Sequence, residues 1–222
     1  MQMKSVINSE GRLVTVEIME DSGRIQKKCI TFESFLEILN ESIVEDDNSI
    51  HIGKLPQGFY DACISKKYDN TFTCTIVVPS GVYPVQYEKD VYMLPFPAAV
   101  FFFNVLKGSI TKSTCYMLKD EVPTNASQLY HYCYSNVYND GGICWGSNKL
   151  PEVKTLYELE AVVNLFYSAP SNNDLFAPDK MLQNCNQYSG NIRGLYMALN
   201  GKKEFPMECL KEIPLTLGQL MN

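Results

Sequence analysis

One cysteine of the chain lies in a segment whose composition is unlike that of a packed strand. Residues 130–147 are polar and rich in glycine, and an Asn-Asp-Gly-Gly turn at 139–142 is followed by one apolar residue and then by Cys144. Long irregular loops in compact domains are usually functional, because a rigid scaffold presents them at the surface. An unperturbed thiol is only a few per cent thiolate at neutral pH, and a site that raises this fraction activates it as a nucleophile. The segment therefore predicts a reactive thiol at Cys144.

The cysteines as a group do not form a recognisable metal or redox motif. The chain has 222 residues with eight cysteines and two histidines, and no two cysteines lie closer than eleven residues. Zinc sites and redox pairs usually need two cysteines a few residues apart, so we expect no metal and no other cofactor. The N-terminus lacks the apolar region of a secretory signal. We therefore expect a cytoplasmic protein whose thiols are reduced and mostly buried as small hydrophobic side chains.

Composition argues against two classes of partner. The chain is 45% hydrophobic and 20% charged, which is ordinary for a globular protein, and its net charge is −6. Because phosphate contacts dominate nucleic-acid affinity, an acidic chain with basic residues only in doublets is a poor candidate for binding nucleic acid. The longest apolar run, 98–103, is far shorter than the roughly 18 residues of a membrane-spanning helix. We expect neither nucleic acid nor a membrane as a partner.

The elements that would position this loop begin with a small N-terminal unit. Leu13–Met19 and residues 27–31 predict a β-hairpin around an Asp-Ser-Gly turn at 20–24. A short helix is predicted over 32–40 with Thr31 as its N-cap, and residues 41–50 read as a polar loop. We expect residues 1–50 to form an N-terminal extension and residues 51–222 to form the main domain.

The middle of the chain predicts an antiparallel meander. Apolar and polar residues alternate along 71–78, which is typical of a half-buried strand. Further strands are predicted near 59–66, 100–106 and 112–118, with turns at 68–70 and 107–109. Cysteines that fall within these strands are expected to be core residues. They are Cys63, Cys74 and Cys115.

The last third of the chain predicts helices. Residues 153–168 carry apolar side chains at helical spacing, namely Leu156, Leu159, Val163 and Phe166. Shorter helices are predicted over 191–199 and 207–213. Because the strands precede the helices, we expect an α+β fold with the helices packed on one face or end of the sheet.

The Cys144 loop resembles the active-site loop of ubiquitin-conjugating enzymes (E2). Members carry His-Pro-Asn, a short turn and Gly-x-Ile-Cys, with the Asn eight residues before the Cys, and here Asn136 precedes Cys144 by the same number. Residues 165–178 also resemble the Pro/Asn/Asp-containing loop that follows the next helix, with one residue inserted. In particular, the chain resembles prokaryotic E2 family D, which includes protein B of PRTRC plasmid cassettes. The Asn-Val pair at 136–137, the Gly-x-x-Cys-x-Gly pattern, Pro95-Phe96-Pro97 and residues 215–218 carry that likeness.

This resemblance implies a fold and a reaction. The fold is the ubiquitin-conjugating-enzyme-like meander with C-terminal helices, here with an N-terminal hairpin and helix. Cys144 would accept a ubiquitin-like modifier as a thioester from an adenylating activating enzyme and transfer it to an amine. Such chemistry needs a nucleophile and oxyanion stabilisation but no obligatory His base. A metal-dependent deconjugating peptidase of the same cassette is a further implied partner.

The resemblance also assigns roles to two other residues, each with a structural alternative. Asn136 would either donate to the developing oxyanion or hold the loop by bonding its backbone. Asp174 matches the place of an acidic residue that orients the incoming lysine, and it is equally well read as a solvated loop or cap residue. We expect Cys133 and Trp145 to have packing roles.

The chain departs from the E2 pattern at several positions, which keeps two other functions open. Tyr134-Ser135 stands where His-Pro is usual, Trp145 stands where Leu is usual, and the chain opens with a hairpin where eukaryotic members have a long helix. One alternative is a catalytically inactive binding or scaffold protein of a plasmid or mobile-element cassette. The other is a cysteine peptidase that pairs Cys144 with His131, which requires hydrogen-bond reach between the two side chains.

Overall fold

The computed structural model describes residues 2–7, 13–19, 23–42, 52–185 and 191–221. The chain divides into two compact units, Met1–His51 and Ile52–Asn222. Most of the predicted turn at 20–24 and of the predicted loop at 41–50 lies outside the described residues. Within the described ranges, no helix is both long enough and apolar enough to cross a membrane.

The first unit is a three-stranded antiparallel sheet followed by a helix. Its elements are β1 (Gln2–Ile7), β2 (Leu13–Met19), β3 (Ile25–Thr31) and α1 (Phe32–Ser42). β2 pairs with β1 on one side and with β3 on the other, which confirms the predicted hairpin and adds one strand that was not predicted. The Thr31 hydroxyl accepts a hydrogen bond from the Ser34 amide at 3.1 Å, as expected of an N-cap. Val14, Val16 and Phe35 form the core of this unit.

The second unit is built on a six-stranded antiparallel sheet and a separate hairpin. Its strands are β4 (Phe59–Ile64), β5 (Phe72–Val78), β6 (Gly81–Tyr87), β7 (Asp90–Phe96), β8 (Ala98–Leu106), β9 (Ser109–Leu118), β10 (Gln128–Tyr130) and β11 (Glu212–Thr216). The order in the large sheet is β11-β10-β9-β8-β5-β4, and β6 pairs with β7. The four predicted meander strands are therefore confirmed as β4, β5, β8 and β9. The turn between β8 and β9 is also confirmed, because Lys107 (φ 49°) and Gly108 (φ 82°) form the two-residue turn typical of hairpins.

The helices follow the sheet, as expected for an α+β fold. They are α2 (Leu159–Ser168), α3 (Pro178–Met181), α4 (Ile192–Leu199) and α5 (Leu217–Met221), with 3-10 turns at Leu156–Glu158 and Met207–Cys209. α4 confirms the helix predicted over 191–199, and the Asn191 side chain caps it by accepting from the Gly194 amide at 2.9 Å. The helix predicted over 207–213 is wrong beyond its first turn, because only Met207–Cys209 is helical, as a 3-10 turn. Pro214 disfavours helix at the residue before it, and the edge strand β11 begins at Glu212.

The two faces of the large sheet are both covered. The four apolar residues predicted to face the core from the α2 segment are buried against one face, together with Phe101 and Phe103 of β8. On the opposite face, Val100 and Leu118 pack with Leu217 of α5. The expected one-sided arrangement of helices is thus wrong for α5 alone, because the return of β11 to the sheet edge carries α5 to the other face.

The cysteines differ from expectation at two places. Cys185 and Cys209 are joined by a disulfide, which corrects the expectation that all the thiols are reduced. Their positions, 24 residues apart in sequence, are brought together where Leu182 pairs with Leu210. Cys63 is exposed, although it lies in a strand, because its side chain points away from the core.

Candidate functional site

Asn136 and Cys144 lie side by side at the base of a short hairpin. Val137 and Ile143 pair in antiparallel fashion, and the Tyr138 amide donates to the Gly142 carbonyl at 2.8 Å. The Cys144 amide then donates to the Asn136 carbonyl, also at 2.8 Å. Eight residues of sequence separation thus become one hydrogen-bonded pair. We call residues 136–144 the Cys144 hairpin.

The Cys144 hairpin is attached to the edge of β9. The Cys115 amide donates to the Gly141 carbonyl at 2.8 Å, and the Ile143 amide donates to the Ser113 carbonyl at 3.0 Å. Gly141 has a φ of 85°, and a Cβ atom there would lie 2.1 Å from the ring of Tyr116. Only glycine fits this contact and this backbone conformation. The sheet therefore fixes the position of Cys144 through the backbone of its own loop.

The Cys144 thiol is half-buried and has one hydrogen-bond donor beside it. The Tyr138 hydroxyl donates to the Cys144 sulfur at 3.5 Å. This hydrogen bond is the main cause that raises the pKa of Tyr138 above its ordinary value, so the phenol keeps its proton and remains a donor. Cys74, Cys115 and Cys133 are buried, which confirms their expected core positions.

Tyr138 was not singled out from the sequence. Its proximity to Cys144 follows from the hairpin register, because Asn136 lies opposite Cys144 and residues two apart on a strand share a face. A hairpin assignment for residues 136–144 was the signal that could have identified this residue.

The carboxamide of Asn136 is held on both of its polar sides. Its Nδ2 donates to the Pro170 carbonyl at 3.1 Å, and its Oδ1 accepts from the Ser135 hydroxyl at 3.2 Å. Asn136 also adopts a left-handed conformation with a φ of 69°, which asparagine tolerates better than most residues. The side chain therefore links the Cys144 hairpin to the segment that follows α2.

Asp174 lies in that same segment, on its exposed side. Its backbone amide donates to Asn172 Oδ1 at 3.0 Å, and the Asn172 amide donates to the Ser135 hydroxyl at 3.4 Å. The neighbouring residue Asn173 accepts at its Oδ1 from the Ile192 amide at 3.3 Å. The segment is therefore tied both to the Cys144 hairpin and to α4. Among the described residues, no hydrogen bond joins the Asp174 carboxylate to Cys144.

Buried aromatic residues pack next to the Cys144 hairpin. Tyr134, which stands where the E2 pattern has His, is buried and donates to the Pro95 carbonyl at 2.5 Å. Its ring packs on Phe96 with centroids 4.6 Å apart. The Tyr196 and Ser171 hydroxyls form a buried hydrogen bond of 2.6 Å, and burial raises the pKa of Tyr196 so that it stays neutral.

Two other residues weighed from the sequence have structural surroundings. The His131 amide donates to the Lys211 carbonyl at 2.9 Å, and burial together with the Lys211 charge lowers the pKa of the imidazole. In the part of the chain that the structure describes, no hydrogen bond joins His131 to Cys144. Trp145 donates to the Ser113 hydroxyl at 2.9 Å and packs edge-to-face on Phe166, which agrees with a packing role.

A groove of about 560 Å³ runs beside the Cys144 hairpin and is lined by β9 together with Tyr138 and Trp145. A groove of this volume is in the range of ligand sites. No cluster of three or more His, Cys, Asp or Glu side chains suited to a metal ion occurs within the described residues. The site thus offers a half-exposed thiol with a phenol donor on its sulfur, next to the backbone of Asn136.

Comparison with known proteins gives one match. The family model of prokaryotic E2 family D matches residues 66–213, which is two thirds of the chain and includes the Cys144 hairpin and Asp174. No curated protein and no solved structure matches the chain. The matched region begins before β5 and ends within β11, so it spans the large sheet apart from β4, together with helices α2, α3 and α4.

Proposed function

Because the chain belongs to prokaryotic E2 family D, we propose that Cys144 accepts the carboxyl terminus of a ubiquitin-like modifier as a thioester and transfers it to an amine. The observation that carries the proposal is the position of the thiol. It is half-buried on a hairpin fixed to the sheet, next to the Tyr138 hydroxyl and the Asn136 backbone, while Cys115 and Cys133 beneath it are buried.

The first step is transfer between two thiols. The Cys144 thiolate attacks the carbonyl carbon of a modifier thioester on the activating enzyme, a new C–S bond forms, and the old C–S bond breaks to release the activating-enzyme thiolate. Oxyanion stabilisation by a preorganised donor is the largest aid that the protein can give to such a step. Asn136 supplies this donor, since its Nδ2 has a second N–H besides the one bonded to Pro170.

The second step transfers the acyl group to an amine. A neutral amine attacks the Cys144 thioester, the C–S bond breaks to release the Cys144 thiolate, and an amide forms with loss of one proton from the amine nitrogen. The exposed carboxylate of Asp174 is the group that we assign to orienting the amine and receiving this proton. Its loop is held next to the Cys144 hairpin through Asn172 and Ser135.

The partners follow from the reaction. A ubiquitin-like modifier and an adenylating activating enzyme are required, and family membership points to both. We further propose that the chain acts within a PRTRC-type plasmid cassette, with a metal-dependent deconjugating peptidase encoded nearby. That placement rests on the residues that resemble protein B of such cassettes.

Reconstitution tests the proposed function. The full-length chain is incubated with the modifier and activating enzyme encoded beside it and with ATP, and adducts are separated with and without reductant. We expect an adduct that reductant removes, and for Cys144→Ser either a reductant-resistant ester or no adduct. Survival of the adduct in Cys144→Ala would contradict the assignment, and Cys63→Ser is the matched control because Cys63 is exposed.

One observation favours a second function, a binding or scaffold protein without transfer activity. The Asn136 amide is bonded to the Pro170 carbonyl, and Tyr134-Ser135 replaces the usual His-Pro. Alkylation of the folded chain separates the two functions. A scaffold predicts that Cys144 reacts no faster than an unstructured thiol, whereas a carrier predicts faster reaction.

A further inference from the structure

We propose that Ser135 is a positioning residue for Asn136: its hydroxyl orients the Asn136 carboxamide so that an N–H, and not the carbonyl oxygen, is free for the reacting acyl group. This inference rests on the proposed acyl transfer at Cys144. It concerns a position where the chain departs from the E2 pattern, because Ser135 stands where proline is usual.

The orientation of the carboxamide is determined by its two neighbours. The Pro170 carbonyl oxygen can only accept a hydrogen bond, so the atom that faces it at 3.1 Å must be the amide nitrogen. The amide oxygen then lies on the other side, at 3.2 Å from the Ser135 hydroxyl. The same hydroxyl lies 3.5 Å from Asn172 Oδ1, so its single proton is donated to Asn136 Oδ1 as the nearer acceptor. Ser135 is buried, so water does not compete for this hydrogen bond as it would at the surface.

These two contacts determine which way the remaining N–H of the Asn136 carboxamide points. With its oxygen bonded to Ser135 and one N–H bonded to Pro170, the carboxamide keeps a single uncommitted N–H, for which no acceptor appears within the described residues. Without the Ser135 hydroxyl, the amide oxygen loses its donor, and only the hydrogen bond to the Pro170 carbonyl still opposes rotation of the group. In a rotated carboxamide, the oxygen atom would face the developing oxyanion and repel it.

Ser135 also connects the hairpin to the loop of Asp174. Its oxygen accepts from the Asn172 amide at 3.4 Å, and Asn172 Oδ1 in turn accepts from the Asp174 amide at 3.0 Å. A proline at this position has no hydroxyl and could make neither contact. The same serine therefore holds the proposed oxyanion donor and borders the loop of the proposed acceptor-orienting residue.

The test joins a direct readout of the carboxamide to a kinetic one. NMR of the ¹⁵N-labelled full-length chain, with the Asn136 side-chain signals identified by their loss in Asn136→Ala, gives the exchange rate of the Nδ2 protons with solvent. Ser135→Ala should speed this exchange by about two- to tenfold, the worth of one hydrogen bond. Ser171→Ala is the matched control, because it removes a buried hydroxyl nearby that bonds Tyr196 and not Asn136. It should leave the exchange unchanged.

The kinetic readout uses a synthetic probe, the acetylglycyl thioester of 2-mercaptoethanesulfonate, and follows acylation of Cys144 by mass spectrometry. Ser135→Ala should slow acylation by about two- to tenfold. Ser135→Thr should restore the rate, since a cavity of about 20 Å³ beside the serine leaves room for a methyl group. The double variant with Asn136→Ala should be no slower than Asn136→Ala alone, because Ser135 acts only through Asn136.

Two results would overturn the positioning role. One is unchanged Nδ2 exchange in Ser135→Ala, and the other is a double variant whose rate loss is the product of the two single losses. Failure of the proposed function gives a different result. Cys144 of the wild-type chain would then not be acylated, whereas the effect of Ser135→Ala on Nδ2 exchange would still be observed. Thermal unfolding of each variant shows whether it is folded. If Ser135→Ala is not folded, the Nδ2 exchange rates of Ser135→Thr and wild type are compared. Equal rates support the positioning role, and faster exchange in Ser135→Thr, which keeps the hydroxyl, contradicts it.

Discussion

At the scale of single residues, Cys144 differs from the other free thiols in the combination of exposure and neighbours. Cys29 and Cys63 are exposed, whereas Cys74, Cys115 and Cys133 are buried. Burial raises the pKa of Cys74 to about 12, which keeps this thiol protonated and inert at neutral pH. Cys144 alone is half-buried with a phenol donor on its sulfur. These differences favour Cys144 as the nucleophile over the other free cysteines.

The Tyr138 hydroxyl is the contact whose removal tests this environment most simply. Tyr138→Phe removes the donor that faces the sulfur, so the Cys144 thiolate loses a hydrogen bond and alkylation at pH near 7 should slow by about two- to fivefold. The measurement is the rate of iodoacetamide labelling of the Cys144 peptide by mass spectrometry. Tyr68→Phe is the control, since Tyr68 is exposed in the turn before β5. An equal or faster rate in Tyr138→Phe would contradict this role of the phenol.

At the scale of elements, the backbone of the Cys144 hairpin determines where the thiol lies. The hairpin is attached to β9 by hydrogen bonds at Ser113 and Cys115, and its outer turn rests on Tyr116, whose hydroxyl donates to the Asp140 carbonyl at 2.5 Å. This attachment uses the part of the β9 edge that the short strand β10 leaves unpaired. The Cys144 hairpin therefore extends the sheet and is not a free loop.

Gly141 is the position where this attachment is most sensitive. Gly141→Ala places a Cβ 2.1 Å from the Tyr116 ring at a φ of 85°, so the hairpin must shift, and we expect a loss of about 1–3 kcal/mol in the free energy of unfolding. Gly146→Ala is the matched control, because Gly146 also has a positive φ of 56° but a Cβ there meets nothing within 4 Å. Urea denaturation measures both. Equal losses in the two variants would contradict the close contact at Gly141.

The elements also show which parts of the structure are predictable from sequence. Strand β5 and helix α2 follow from local periodicity, because each has regularly spaced apolar residues that are buried. The strand β11 was missed because its pairing with β10 joins residues more than 80 positions apart, and Pro214 hides the strand pattern. The Cys144 hairpin could be placed by resemblance, but its contacts could not. The bond from Asn136 to Pro170 spans 34 residues and depends on tertiary packing alone.

At the scale of the whole molecule, the second unit buries several thiols and phenols that ionise only at alkaline pH. Burial raises the pKa values of Cys115, Cys133, Tyr132 and Tyr167 well above their ordinary values, as it does for Cys74. These thiols and phenols lie in one core beneath the Cys144 hairpin and α2. The folded state therefore keeps these thiols and phenols protonated and neutral.

These raised pKa values predict that stability falls at alkaline pH. A buried thiol such as Cys74 keeps its proton in the folded state up to about pH 12, whereas the unfolded chain loses it near pH 8.5. Its contribution is therefore fully present below about pH 8.5 and declines between there and pH 12, at up to about 1.4 kcal/mol per pH unit per group. Urea midpoints measured from neutral pH upward test this. Cys74→Ala should lessen the decline, and a midpoint independent of pH would contradict it.

The central claim is that Cys144 carries the acyl group, and the most direct test is to locate the thioester by mass spectrometry. The full-length chain is charged with the modifier, activating enzyme and ATP, then digested under mildly acidic conditions that preserve thioesters. We expect one acylated peptide, containing Cys144, whose modification is lost on treatment with hydroxylamine. Acylation of Cys29, Cys63 or a lysine instead, or a chain that stays unmodified beside a charged activating enzyme, would contradict it.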